Sequence, residues 1–360
     1  MKKNSFFHKR AIILILLVVL LVMSAFLFYL LIKKDQFAPG KDSSTEDTNT
    51  GDDSGDQKRS TEVSGGEELE KKIQAQISEM SLEEKIYQLF FVTPESLTGV
   101  DMVTQAGDAT KTALEQYPVG GIIYFSQNIE NEEQITTMTS NSQSYSKIPL
   151  FIGVDEEGGT VNRVSTNPNL RAVPFWSPQE LYAEGGFDLI QSDTQEKCEL
   201  LNSLGINLNF APICDVSQNP EDFIYDRSFG QNAEQTAAYV HLVVQTMFQE
   251  GMGSVIKHFP GYGNNVDTHT GIAYDNRTYE TFLNSDFLPF QAGIDSGANM
   301  VLVSHNVVSC MDSQTPASLS SQVHKILREE LKFTGVIITD DLAMDGVRNF
   351  AEDTKLQFKL

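Results

Sequence analysis

The pattern of apolar and polar positions divides the chain into three stretches. Residues 11–32 carry no charge and are almost wholly apolar. A run of about 20 apolar residues is long enough to cross a bilayer. A cleavable signal would have a shorter apolar region followed by small residues, whereas Lys33 and Lys34 close this one. The expectation is an uncleaved transmembrane helix within a segment 1–34. Residues 35–66 hold almost no large apolar side chains. Such a stretch cannot offset the entropy of ordering its backbone, and it is expected to be a disordered acidic linker. From 67 to 360 the composition is globular. There Ser81 and Glu84 have capping-box spacing and predict a helix running toward Tyr87.

Seven short apolar runs then recur: Leu89–Val92, Gly121–Phe125, Leu150–Val154, Ile206–Phe210, Ser254–Ile256, Met300–Val303 and Val336–Thr339. Buried parallel strands read as continuous apolar runs, and their alternation with helical stretches predicts βαβ units. Most of the runs end in polar or glycine-rich residues, among them Asp155 to Gly159, Lys257 to Gly261, Ser304 to Asn306, and Asp340 with Asp341. Polar residues at the C-terminal ends of strands are where a (β/α)8 barrel of the TIM type keeps its active site. A doubly wound sheet would show a glycine-rich phosphate loop after its first strand. Here Leu89–Val92 is followed by Thr93-Pro94-Glu95. Seven strands are one fewer than a closed barrel needs, so the expectation is an α/β barrel truncated before its last strand.

Charge narrows the partners. The chain has 26 Lys and Arg against 49 Asp and Glu, a net charge of −23. Six of those bases, Lys2, Lys3, Lys9, Arg10, Lys33 and Lys34, flank the apolar run with no acid among them. The rest of the chain is therefore still more acidic, which excludes nucleic acid as a partner. Four bases precede the run and two follow it. This puts the N-terminus in the cytoplasm and the globular part outside the cell, held to the membrane by a single pass. Cys198, Cys214 and Cys310 are too few and too scattered for a disulfide framework or a zinc site, and read as buried small residues.

The densest chemistry lies in Lys257-His258-Phe259-Pro260-Gly261 and the loop that follows it, where Gly261 and Gly263 permit positive φ. Asp267 and His269 are two apart and share a face in an extended segment. A carboxylate there orients an imidazole, the side chain that titrates near neutral pH and suits a proton given and later taken back. Asp340, at the end of the seventh run, is placed to attack an anomeric carbon. A helix N-cap is the competing reading of the Asp340-Asp341 pair. Asp155 and Arg163 follow the third run, and they and Arg227 are suited to clamping sugar hydroxyls or to structural ion pairs.

Taken together, these motifs resemble glycoside hydrolase family 3 in its β-N-acetylhexosaminidase branch. The resemblance rests on Lys257 to Gly261 with Asp267-x-His269, on Thr339-Asp340-Asp341-Leu342-x-Met344, and on Asp155-x-Glu157-Gly158-Gly159. Smaller matches at Glu84 to Gln88, Gly120 to Asn128, Asn209 to Pro212 and Asp226 to Phe229 fall in order, and the whole covers about residues 78–346.

The resemblance implies a (β/α)8 barrel and retaining hydrolysis of a terminal β-linked N-acetylglucosamine. It places the nucleophile on Asp340, the acid/base on His269 held by Asp267, and sugar binding on Asp155, Arg163, Arg227, Lys257 and His258. It calls for no metal and no cofactor. With the anchor, it implies an extracytoplasmic enzyme acting on cell-wall-derived glycans. The family's usual loop histidine is Tyr262 here, which implies altered loop packing. The family's last strand has no counterpart before residue 360. A catalytically impaired truncated remnant or a sugar-binding protein, a β-glucosidase of the same family, and a metal site on His258, Asp267 and His269 are the alternatives left open.

Overall fold

The computed structural model describes residues 68–269 and 271–353. The segments expected as anchor (11–32) and linker (35–66) lie outside the described residues. Among the described residues, no helix is long and apolar enough to cross a membrane. The fold is carried by the unit that begins at Gln74.

The capping box forms as its spacing requires. The Ser81 hydroxyl accepts from the Glu84 N–H at 3.1 Å, the Glu84 carboxylate accepts from the Ser81 N–H at 2.8 Å, and helix α1 runs Leu82–Tyr87. All seven apolar runs contribute strands: β1 (Phe91–Val92), β2 (Gly121–Ile123), β3 (Phe151–Val154), β4 (Leu208–Asn209), β5 (Gly253–Phe259), β7 (Met300–Val303) and β9 (Val336–Thr339). Only Met300–Val303 and Val336–Thr339 keep the bounds of their runs, and two of the departures bear on the site. The first strand starts at Phe91, because Leu89 is largely exposed. The fifth runs three residues past Ile256, so Lys257 and His258 lie on the strand and not after it.

The seven strands form one parallel sheet in the order β1-β2-β3-β4-β5-β7-β9. That order follows the chain without a reversal. A doubly wound sheet requires a reversal, so that alternative falls. The inner face closes over a small cluster of Leu208, Phe210, Val255, Met300 and Leu302. Phe91 from the first strand and Ile338 from the last pack on this same cluster, so the sheet curls as a barrel wall does. Among the described residues β1 and β9 are its two edges. A larger cluster, including Ile152, Leu201, Val240, Ile256, Phe290 and Val301, fills the space between the sheet and its helices. Of the cysteines, Cys198 and Cys214 are buried as expected, but Cys310 is exposed, because it falls in the turn after a short strand and not on a packed face.

Two elements are absent from the sequence pattern. Strands β6 (Tyr274–Asp275) and β8 (Val307–Val308) pair in parallel as a separate ribbon. They sit just beyond β5 and β7 in the chain and brace the loops at the polar end of the sheet.

Candidate active site

The site is assembled from the polar residues that follow or end the strands. Its centre is Glu157, in the segment after β3, which the sequence reading quoted within a motif but assigned no role. Its carboxylate accepts from Arg227 through Nε at 3.0 Å and Nη2 at 2.8 Å. Lys257 Nζ lies 2.7 Å from Glu157 and 2.6 Å from Asp155. Arg227 Nη2 also sits 3.2 Å from His258 Nε2. The structure thus brings together four of the five expected binding residues, Asp155, Arg227, Lys257 and His258, around Glu157.

Burial opposes ionisation of Glu157, yet Lys257 and Arg227 together hold its carboxyl well below the usual carboxylate range. For Lys257 burial favours the neutral amine, but Asp155 and Glu157 outweigh it and raise the ammonium above its ordinary value. The charges lock one another.

Asp215 is the second residue the sequence reading missed. Its side chain is fully buried. Oδ2 accepts from the His258 backbone N–H at 3.1 Å and lies 2.8 Å from His258 Nδ1, while Oδ1 accepts from the Tyr262 N–H at 2.7 Å. A carboxylate only accepts, so Nδ1 carries the ring proton and Nε2 accepts from Arg227. Asp215 lies 43 residues from His258. The only signal in the sequence was a carboxylate a few residues beyond a strand end.

The glycine-rich loop after β5 is pinned from below. Gly261 adopts φ 125° and Gly263 φ 55°. A Cβ at Gly261 would run into Asp286, and one at Gly263 into the Arg277 guanidinium. Arg277 is the loop's anchor. It donates to the Gly261 carbonyl at 3.0 Å, to Asp275 at 2.7 Å and to Asp286 at 2.9 Å. Burial pushes the Asp286 carboxyl up to about 6 against the pull of Arg277. Tyr262, in place of the family's histidine, is buried and packs edge-on against His258 and tilted against Phe223. Its hydroxyl meets Thr268 Oγ1 at 2.5 Å. Burial, with the nearby charges of Asp340 and Asp215, pushes the phenol up to about 12.

Asp267 and His269 pair as their spacing suggests. Asp267 Oδ1 lies 2.6 Å from His269 Nδ1 and accepts from the His269 N–H at 2.9 Å. The His269 side chain is 60% exposed. Asp340 follows β9, its N–H donating to the Val303 carbonyl of β7 at 2.9 Å. The Asp341 N–H donates to Asp340 Oδ1 at 2.9 Å, while Asp341 Oδ1 accepts from the Ala343 N–H and closes the turn. The two segments touch, because the Gly346 N–H, in the helix α2 (Asp345–Asp353) after Asp340, donates to the Thr268 carbonyl at 3.0 Å. A Cβ at Gly346 would close on that same carbonyl.

Arg163 lies apart from the clamp. Its guanidinium covers the Phe125 ring at 5.3 Å, and its buried Nε has no hydrogen-bond partner among the described residues. The expected site residues therefore form a buried clamp, an exposed Asp–His pair and a strand-end aspartate. Among the described residues no three His, Cys, Asp or Glu side chains converge as metal ligands.

The profile of the glycosyl hydrolase family 3 N-terminal domain matches residues 81–357. A β-hexosaminidase of Xanthomonas campestris pv. campestris is 32% identical over 235 residues, covering 64% of this chain and 70% of the relative. A family 3 β-N-acetylglucosaminidase from Paenibacillus superposes with a TM-score of 0.69 at 30% identity over 75% of this chain. This chain covers about half the length of that enzyme (51%). NagZ of Neisseria gonorrhoeae, solved in complex with N-trifluoroacetyl-D-glucosamine, superposes with a TM-score of 0.62 at 26% identity, over 74% of this chain and 78% of that one. The chain belongs to glycosyl hydrolase family 3, in its β-N-acetylhexosaminidase branch.

Proposed function

We propose that this glycoside hydrolase removes terminal β-linked N-acetylglucosamine with retention of configuration. In this reading Asp340 attacks the anomeric carbon as the glycosidic bond breaks, and His269 Nε2 gives a proton to the departing oxygen. A glycosyl ester on Asp340 results. Water then attacks the same carbon, His269 takes back a proton, and the ester bond to Asp340 breaks. Asp267 accepts from the His269 Nδ1–H, leaving Nε2 as the nitrogen that works. An imidazole in place of a second carboxylate avoids like-charge repulsion with Asp340.

The observation that carries the reading is the bond between Gly346 and Thr268. It ties the loop bearing Asp267 and His269 to the turn that follows Asp340, so proton donor and nucleophile sit on touching segments. The clamp supports it. Asp155, Glu157 and Asp215 nearly balance Lys257 and Arg227 in charge, and a near-neutral array of donors and acceptors suits a neutral polyhydroxyl ligand. Lys257 Nζ has a third N–H beyond its two carboxylate contacts, and in this reading it and the terminal nitrogens of Arg163 face hydroxyl or carbonyl oxygens of the sugar.

The proposal extends to an enzyme tethered through residues 11–32, facing outward and acting on wall-derived glycans. Its support is the uncharged run, the flanking bases and the acidic remainder of the chain.

The test is hydrolysis by the full chain of an aryl β-N-acetylglucosaminide beside the matching β-glucoside, with proton NMR of the first-formed sugar. Selective release of the β-anomer from the N-acetyl substrate, abolished in Asp340→Ala, is the expected result. Release of the α-anomer would overturn retention, and binding without turnover would favour a sugar-binding protein. Membrane fractionation of the full chain, with 11–32 deleted as control, tests the tether.

A further inference from the structure

We infer that His305 is a positioning residue for Asp340, an inference that rests on the nucleophilic role proposed above. His305 stands two residues past β7 and is fully buried. Its Nε2 lies 2.8 Å from the Asp341 carbonyl oxygen, and its Nδ1 2.7 Å from Ser318 Oγ. A carbonyl only accepts, so Nε2 holds the ring proton and donates it. The Ser318 hydroxyl then donates to Nδ1. Ser318 is itself buried and anchored, its N–H donating to the Ser304 carbonyl at 2.9 Å. The imidazole is thus fixed to the end of β7 on one side and grips the residue after Asp340 on the other.

That grip bears on the reactive carboxylate. The Asp341 N–H donates to Asp340 Oδ1, so the direction of this N–H sets which carboxylate oxygen is held and which faces outward. The Asp341 carbonyl is fixed by two donors, His305 Nε2 and the Met344 N–H at 3.0 Å. With the Asp341 carbonyl held by two donors and its Oδ1 held by the Ala343 N–H, its own N–H has a defined aim. A displacement of about 1 Å at an attacking atom is enough to cost about a hundredfold in rate. Removal of the His305 bond therefore slows formation of the glycosyl ester more than it weakens sugar binding, since the clamp around Glu157 does not include His305.

The test compares His305→Gln with His305→Asn in the full chain. The Gln amide nitrogen reaches the place of Nε2 and keeps the bond to Asp341, whereas the Asn amide ends near Nδ1 and does not. Expected for His305→Asn is a kcat on an aryl β-N-acetylglucosaminide lower by about thirtyfold or more, with KM within about threefold of the parent. Expected for His305→Gln is a kcat within about fivefold of the parent. A parental kcat in His305→Asn, or equal losses in the two variants, would overturn the inference. Should His305→Asn fail to fold, Ser318→Ala keeps the ring and frees Nδ1. A kcat lower by about fivefold at constant KM is then expected, and an unchanged kcat overturns the inference.

Azide added to Asp340→Ala separates this inference from the one beneath it. Azide attack at C1 from the face left by Asp340 expels the aryl alcohol and gives the α-glycosyl azide. Absence of that product removes the nucleophilic role of Asp340 and the His305 inference with it. Formation of the azide alongside an unaffected His305→Asn removes only the latter.

Discussion

The clamp around Glu157 and the loop bearing His269 are built on opposite principles. In the clamp, Lys257, Glu157 and His258 have almost no exposed side-chain surface, and each bonds to at least two charged or polar partners. The Asp267–His269 pair sits in the open, its imidazole more than half exposed. A neutral sugar has few features beyond the directions of its hydroxyls, so recognition needs donors and acceptors that do not relax. Burial and mutual pairing provide that preorganisation. Proton transfer in the proposed reaction has the opposite need. The group must meet a departing alcohol of variable size and later a water, and a sealed pocket would exclude both.

Substitution at Asp340 gives the largest expected effect and breaks neither half. Asp340→Asn is expected to lower kcat by about four orders of magnitude or more and to leave the melting temperature nearly unchanged, since the side chain is half-buried and, among the described residues, its one hydrogen bond comes from the adjacent Asp341 N–H. Steady-state kinetics beside thermal melting check this. A large loss of stability would place Asp340 within the scaffold.

Glu157→Gln strikes the clamp. It leaves Lys257 and Arg227 buried with one carboxylate fewer, and a loss of about 3–5 kcal/mol of stability is expected. The variant also has a signature in pH. The folded carboxyl lies below the ordinary value of 4.5, so its stabilisation is fully present above that value and is lost as pH falls below it. Urea midpoints measured from pH 7 down to pH 3 are expected to drop in the parent and to flatten in Glu157→Gln. Equal slopes in the two would show that another group governs the acid limb.

The sequence makes one half of this comparison more legible than the other. Strands could be read because buried parallel strands are apolar on both faces, as at Met300–Val303, where every residue is buried. Asp155, Lys257, His258 and Asp340 stand out because polar residues at or near strand ends interrupt that pattern, while their roles come only with the family resemblance. Asp267 and His269 could be read because their partnership is local. Asp215, Arg277 and Asp286 could not. Asp215 acts through a residue 43 positions away, and no periodicity records such a distance. The π turn Phe282–Asp286, which delivers Asp286 to Arg277, also follows no amphipathic period. The ribbon of β6 and β8 escaped because two residues per strand carry no pattern. Tyr262 was seen as a departure, but its packing between His258 and Phe223 depends on a loop from another part of the chain.

On the loop side, His269→Ala is expected to lower kcat by about a hundredfold or more on an alkyl or sugar aglycone. Much less is lost on a dinitrophenyl leaving group, which departs without a proton. The melting temperature should not move, because the side chain is mostly exposed. An equal loss on both leaving groups would mean that His269 does something other than donate a proton.

The smallest expected effect sharpens the comparison most. Asp267→Asn keeps an oxygen that can accept from the His269 backbone N–H and from Nδ1–H, as Asp267 Oδ1 does now. It removes the negative charge, and its amide can also turn to donate to Nδ1, which puts the ring proton on Nε2 and leaves the wrong nitrogen protonated for taking a proton from water. A loss of about tenfold in kcat is expected, far less than for a buried triad carboxylate because water screens this exposed pair; it is concentrated in the hydrolysis of the glycosyl ester, so that the ester accumulates and a burst of aryl alcohol precedes the steady state. The clamp offers the contrasting case. Asp215→Asn, at a carboxylate that orients His258 in the same way but with no exposed surface, is expected to raise KM and lower stability together. If Asp267→Asn raises KM as Asp215→Asn does, the exposed pair is part of the recognition surface, and the division between a fixed clamp and an open proton shuttle does not hold.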